Sequence, residues 1–131
     1  MIQLANSLAF ETQGIHSILG AMPESALDDL DFGVIGFDAE GAVRQYNRFE
    51  SECAGLAAAR VLGQGLFNVV APCMNNFMVA QRFEDAAADA SVLDATIDYV
   101  LTLRMRPVKV KLRLLSTPGA SLRYVLVHRP A

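Results

Sequence analysis

The stretch Phe32-Gly33-Val34-Ile35-Gly36-Phe37-Asp38-Ala39-Glu40-Gly41-Ala42-Val43-Arg44-Gln45-Tyr46 reads as a β-hairpin. An apolar strand over 32–37 enters a turn of Asp/Gly type at 38–41, and the chain returns as a second strand over 42–46. Asn47 then stands where a helix N-cap belongs, Arg48 to Cys53 has helical composition, and Gly55 is a stop. Ala57 to Leu62 gives another short helical piece, closed by Gly63-Gln64-Gly65.

The next stretch is Asn68-Val69-Val70-Ala71-Pro72-Cys73. It delivers a cysteine along an apolar run, directly behind a proline that restricts the backbone and removes a donor. Asn75 and Asn76 offer an N-cap for a helix over 77–90, whose period places Phe77, Ala80, Phe83 and Ala87 toward the core. A thiol near a helix N-terminus is biased toward thiolate, which suits a nucleophile or an attachment point. The ordinary alternative is a small buried hydrophobe. Three β-like segments close the chain, over 95–103, 108–115 and 122–128. In the second, Lys109, Lys111 and Arg113 alternate with Val110, Leu112 and Leu114, as expected of a half-buried antiparallel strand. Upstream, residues 2–12 and 15–22 read as weakly amphipathic pieces broken at Pro23, and 26–30 as a further turn. None would be stable alone, so residues 1–28 are expected to form an N-terminal helical cap on a domain spanning 29–131. Two strands, short helices, one longer helix and three strands imply an α+β fold. The expected form is a PAS-like five-stranded antiparallel sheet with flanking short helices.

Composition narrows the function. The chain has 131 residues, 53% hydrophobic and 19% charged, enough to bury one core. A net charge of −3 without a polybasic run argues against nucleic acid. No apolar run approaches the roughly 20 residues needed to span a bilayer, and no secretory signal is visible. A cytoplasmic setting is therefore the expectation. Cys53 and Cys73 are the only cysteines, and with His16 and His128 they show no metal-ligand spacing. Cys53 reads as structural and the two histidines as incidental.

These residues resemble the photoactive yellow protein family, blue-light receptors of the PAS superfamily. The resemblance rests on Leu27-Asp28-Asp29-Leu30-Asp31-Phe32-Gly33-Val34-Ile35, on Gln45-Tyr46-Asn47 with Glu50, on Val70-Ala71-Pro72-Cys73 with Phe83, and on Met105-x-Pro107-x-Lys109-Val110-Lys111. It implies a p-coumaric acid (4-hydroxycinnamic acid) chromophore bound as a thioester on Cys73, with Tyr46 and Glu50 hydrogen-bonding its phenolate oxygen. It implies that Ile35, Leu66, Val70, Ala71 and Pro72 line the pocket and that Met105 assists the return to the dark geometry. An alternative gap pairs Asp98-Tyr99 with the family's Asp-Tyr and displaces Met105. Ala54 and Leu56 stand where a family member has a threonine supporting the tyrosine and an arginine covering the pocket mouth. The expectation is a light sensor, not an enzyme, free or as part of a larger receptor. Its downstream partner is unspecified, and sheet faces and cap are suited to homodimerisation. The alternative is a chromophore-free PAS interaction module. A cysteine-nucleophile enzyme would need a base near Cys73, and neither histidine is placed by a motif to serve.

Overall fold

The computed structural model describes residues 8–102 and 107–130. They form one antiparallel sheet of five strands. These are β1 (Gly33–Phe37), β2 (Val43–Tyr46), β3 (Leu93–Leu101), β4 (Val108–Ser116) and β5 (Arg123–His128), in spatial order β2-β1-β5-β4-β3. The α+β expectation therefore holds. The β1–β2 turn is built as its sequence suggests. Asp38 Oδ1 accepts from the amides of Glu40 (3.0 Å) and Ala42 (2.9 Å), and Gly41 takes a φ of 85° that favours glycine.

The helices are α1 (Ile15–Ala21), α2 (Glu24–Leu27), α3 (Arg48–Ala54), α4 (Ala58–Val61) and α5 (Ala80–Asp89). Between α4 and α5 the chain makes a wide π-helical turn, Leu66–Val70, then a 3-10 turn, Pro72–Met74.

Both faces of the sheet are covered, which is why β1 is buried at every position instead of alternating. On one face Ile35, Phe37, Tyr46, Val61, Leu66, Val70, Phe83, Leu112, Leu114, Val125 and Val127 form the main core. On the other, Phe10, Ile15, Leu19, Leu27 and Leu30 of the N-terminal segment pack on Val34, Leu115, Tyr124 and Leu126. The period of two along β5 thus sends Val125 and Val127 to the helices and Tyr124 and Leu126 to the cap. Each fully buried cap residue contributes about 1.5–3 kcal/mol, enough to order pieces too short to be helical alone.

Several expectations need correction. Residues 8–12 are not helical, and the rest of the first proposed piece lies outside the described residues. The longest helix starts at Ala80, not Phe77. Asn76 Oδ1 instead accepts from the amides of Met78 (2.9 Å) and Val79 (3.2 Å), a local turn that delays helix entry. Phe77 consequently stands 79% exposed, and Ala86 rather than Ala87 faces inward. Arg113 does not face water. Its Nε and Nη2 donate to Asp94 Oδ1 (2.8 Å) and Oδ2 (2.9 Å), while Nη1 donates to the carbonyls of Phe10 (2.9 Å) and Thr12 (2.8 Å). Nor is His16 incidental: its Nε2 donates to the Leu122 carbonyl (2.8 Å) and its Nδ1 bonds Thr117 Oγ1 (2.9 Å). These contacts tie the cap to β4 and to the β4–β5 loop.

Candidate functional site

Asn47 organises the site. It caps α3 as its sequence position suggests, with Oδ1 accepting from the Glu50 amide at 3.1 Å. The same oxygen accepts from Val34 N (3.0 Å), and Nδ2 donates to the carbonyls of Leu27 (2.9 Å) and Phe32 (3.0 Å). One buried side chain therefore joins the N-terminal cap, β1 and the helix that carries Glu50. The Asn-x-x-Glu spacing also suits a capping box, in which Glu50 would turn back to the Asn47 amide. That amide is already given to the Val34 carbonyl (3.1 Å), leaving the Glu50 carboxylate free to point elsewhere.

Tyr46, the last residue of β2, sits opposite Ile35 in the sheet and is buried in the main core. Burial raises its hydroxyl pKa well above the ordinary value, and the Glu50 charge pushes the same way, so it stays a neutral donor. Glu50 is 2% exposed. Burial is the larger influence and holds its carboxyl above the ordinary range, while the hydrogen bonds and charge of Arg129 pull it back down. Arg129 Nη1 donates to Glu50 Oε1 at 2.7 Å and Nη2 to Oε2 at 3.2 Å. Gly33 makes room for this pair, because a Cβ there would collide with the Glu50 carboxylate.

Cys73 lies in the 3-10 turn, half-buried and packed against the main core. The expected helix N-terminus is absent from its surroundings, since α5 begins seven residues later. Its position is set through the backbone instead. The Tyr99 hydroxyl donates to the Cys73 carbonyl at 2.6 Å. Asn76 Nδ2 donates to that carbonyl (3.1 Å) and to the Tyr99 oxygen (2.6 Å). Cys53, read as structural, is exposed on α3.

The structure brings Ile35, Tyr46, Leu66, Val70 and Ala71 into one apolar cluster, with Leu56 and Cys73 packed on it. Ala54 is buried at the end of α3, and Pro72 is exposed. Met105 lies outside the described residues. Sequence reasoning missed Arg129, Tyr99 and Asn76 as partners of the site. Arg129 has no local motif and meets Glu50 only because β5 lies beside β1. Among the described residues, no helix is long and apolar enough to cross a membrane.

No family model matches the chain. Among curated proteins, it is 32% identical over 107 residues to a photoactive yellow protein of Rhodothalassium salexigens, covering 82% of this chain and 85% of that protein. It is 34% identical over 109 residues to that of Halochromatium salexigens, covering 83% and 86% respectively. Among solved structures, the photoactive yellow protein domain of the sensor histidine kinase Ppr from Rhodospirillum centenum superposes with a TM-score of 0.79. That match has 32% identity and covers 86% of this chain and 98% of that domain. The PAS domain of the Cronobacter turicensis quorum-sensing receptor RpfR, at 14% identity and a TM-score of 0.60, shares the fold, covering 79% of this chain and 97% of that one. With its five-stranded PAS sheet and relatives that match most of its length, the chain belongs to the photoactive yellow protein family.

Proposed function

We propose that this chain is a blue-light sensor domain, not an enzyme, that carries p-coumaric acid as a thioester on Cys73. The observation that carries the reading is the shared apolar cluster. The half-buried Cys73 packs against the apolar cluster to which Tyr46 belongs, and the buried Glu50 lies one helical turn beyond Tyr46. An aromatic acid fits such a setting, with a thiol for its carboxyl end, apolar side chains for its ring and polar groups for its hydroxyl.

Cys73 Sγ forms the thioester by attacking an activated acyl carbon; the S–C bond replaces the bond to the leaving group, and the thiol proton is lost to solvent. When bound, the chromophore supplies visible absorption and an isomerisable double bond. Tyr46 donates its O–H to the phenolic oxygen. Glu50 holds or accepts a proton at Oε, since only a protonated carboxyl donates to an oxyanion. Ile35, Leu66, Val70 and Ala71 exclude water from this exchange. Moving a proton from Glu50 to the phenolic oxygen shifts the pocket's negative charge onto the Glu50–Arg129 pair, and release of the N-terminal cap is the conformational response this reading assigns to that shift. Fusion to or contact with a downstream signalling domain follows from this reading, and the setting is cytoplasmic.

Mass spectrometry after incubation with an activated p-coumaroyl derivative tests the attachment. The expected result is one acyl group per chain, mapped to the Cys73 peptide, absent from Cys73→Ala and absent from the exposed Cys53. A folded protein that takes no acyl group at Cys73 would favour a chromophore-free PAS interaction module. Ala54 and Leu56 lend that second reading its weight, because neither offers a polar group to the pocket.

A further inference from the structure

Three residues from distant parts of the chain stack at one end of the main core. Gly33 opens β1, Glu50 lies over it from α3, and Arg129 follows β5, where Val127 pairs with Gly33. Val125 and Val127 point to the main core, and the alternation carries Arg129 to the same face. Its guanidinium reaches both carboxylate oxygens, and its side chain is only 14% exposed against 2% for Glu50. A buried guanidinium keeps its charge, so a neutral Glu50 would leave that charge without a partner. The other titratable groups bearing on the pair are Tyr46, at the end of β2, and Cys53, on α3.

We propose that Arg129 is the resident counter-ion of this pocket and a positioning residue for Glu50. Its guanidinium keeps the carboxylate ionised and oriented, so that a phenolic ligand beside Tyr46 shares one proton with Glu50 opposite one positive charge. Two anions and one cation in this setting would leave an uncompensated buried charge. A phenol can therefore enter without change in net charge, its proton lying on the phenol oxygen or on Glu50 Oε. The first half concerns the chromophore-free protein alone; the ligand half rests on the function proposed above.

Infrared spectroscopy of the chromophore-free protein tests the first half. At neutral pH the wild type should show no protonated-carboxyl band that Glu50→Gln removes. Arg129→Gln should create that band and raise the Glu50 half-titration by about 1–3 pH units, the span an adjacent opposite charge produces. Arg129→Lys, which keeps the charge without the two-pronged contact, should fall between them. A Glu50 carboxyl band in the wild type at neutral pH would overturn the proposal, whether or not Arg129→Gln folds. So would an unchanged Glu50 titration in a folded Arg129→Gln protein. In protein loaded with p-coumaric acid, Arg129→Gln should move the conversion of the visible band to a near-ultraviolet band to higher pH. An unmoved conversion overturns the ligand half. Failure to load at all removes the proposed function and leaves the chromophore-free titration to decide the role of Arg129.

Discussion

Replacing Asn47 with alanine should cost about 3–4 kcal/mol of stability. Asn47 is 2% exposed and makes four side-chain hydrogen bonds, to Val34 N, Glu50 N, Leu27 O and Phe32 O, at 2.9–3.1 Å. Loss of the N-cap interaction alone costs about 1 kcal/mol. Each of the other buried bonds contributes about 1 kcal/mol net, and more where its partner finds no water. The Leu27 carbonyl softens the total, because it also accepts from the Leu30 amide at 3.3 Å. A domain of this size has about 5–15 kcal/mol to lose, so the variant should fold but be marginal. Urea unfolding followed by circular dichroism measures the effect. With a slope of about 1–3 kcal/mol per M, the midpoint should fall by at least about 1 M. Asn47→Ser, which retains only the cap acceptor, should recover about 1 kcal/mol. A loss below about 1 kcal/mol at unchanged slope would refute Asn47 as the joint between cap, sheet and α3.

Gly33→Ala should drive the Glu50 carboxylate out of its place and cost about 1–3 kcal/mol, as overpacking does. The loss should shrink in a Gly33→Ala/Glu50→Ala double variant, with a coupling of at least about 1 kcal/mol in a double-mutant cycle; strict additivity would contradict the close approach. The Arg113 hydrogen bonds hold the Asp94 carboxyl below its ordinary range. Its contribution to cap docking is therefore full above the ordinary carboxyl pKa of about 3.9 and fades as pH falls through the lower folded value. With Asp94 44% exposed, Asp94→Asn should cost less than about 1 kcal/mol globally. Arg113→Met, which also releases the Phe10 and Thr12 carbonyls, should speed hydrogen exchange over residues 9–14. Unchanged exchange there would detach Arg113 from the cap.

What could be read from the sequence was local. Asp38 to Gly41 is a turn because of its own side chains, and Asn47 caps α3 because the cap partner is three residues away. The strands could be recognised from their apolar runs, and the pairings β1–β2, β3–β4 and β4–β5 join strands consecutive in the chain, whereas the β1–β5 pairing joins the first strand to the last. Features depending on distant pieces were hidden. Arg113 alternates with apolar residues as a solvent-facing strand residue would, yet a segment 101–103 residues away covers it. Arg129 meets Glu50 across 79 residues. Phe77 fits the helical period, but Asn76 captures the next amides and turns it outward. The residues proposed for the chromophore came from resemblance rather than periodicity, since a tyrosine, a glutamate and a cysteine taken singly suit ordinary packing equally well.

The most direct test of the account is a visible absorption spectrum of wild-type and Cys73→Ala protein after treatment with activated p-coumaric acid, before and after blue light. A visible band confined to the wild type, bleached by light and recovering in the dark, is the predicted result. A folded wild type with a reactive Cys73 thiol and no such band, or a band that persists in Cys73→Ala, would contradict it.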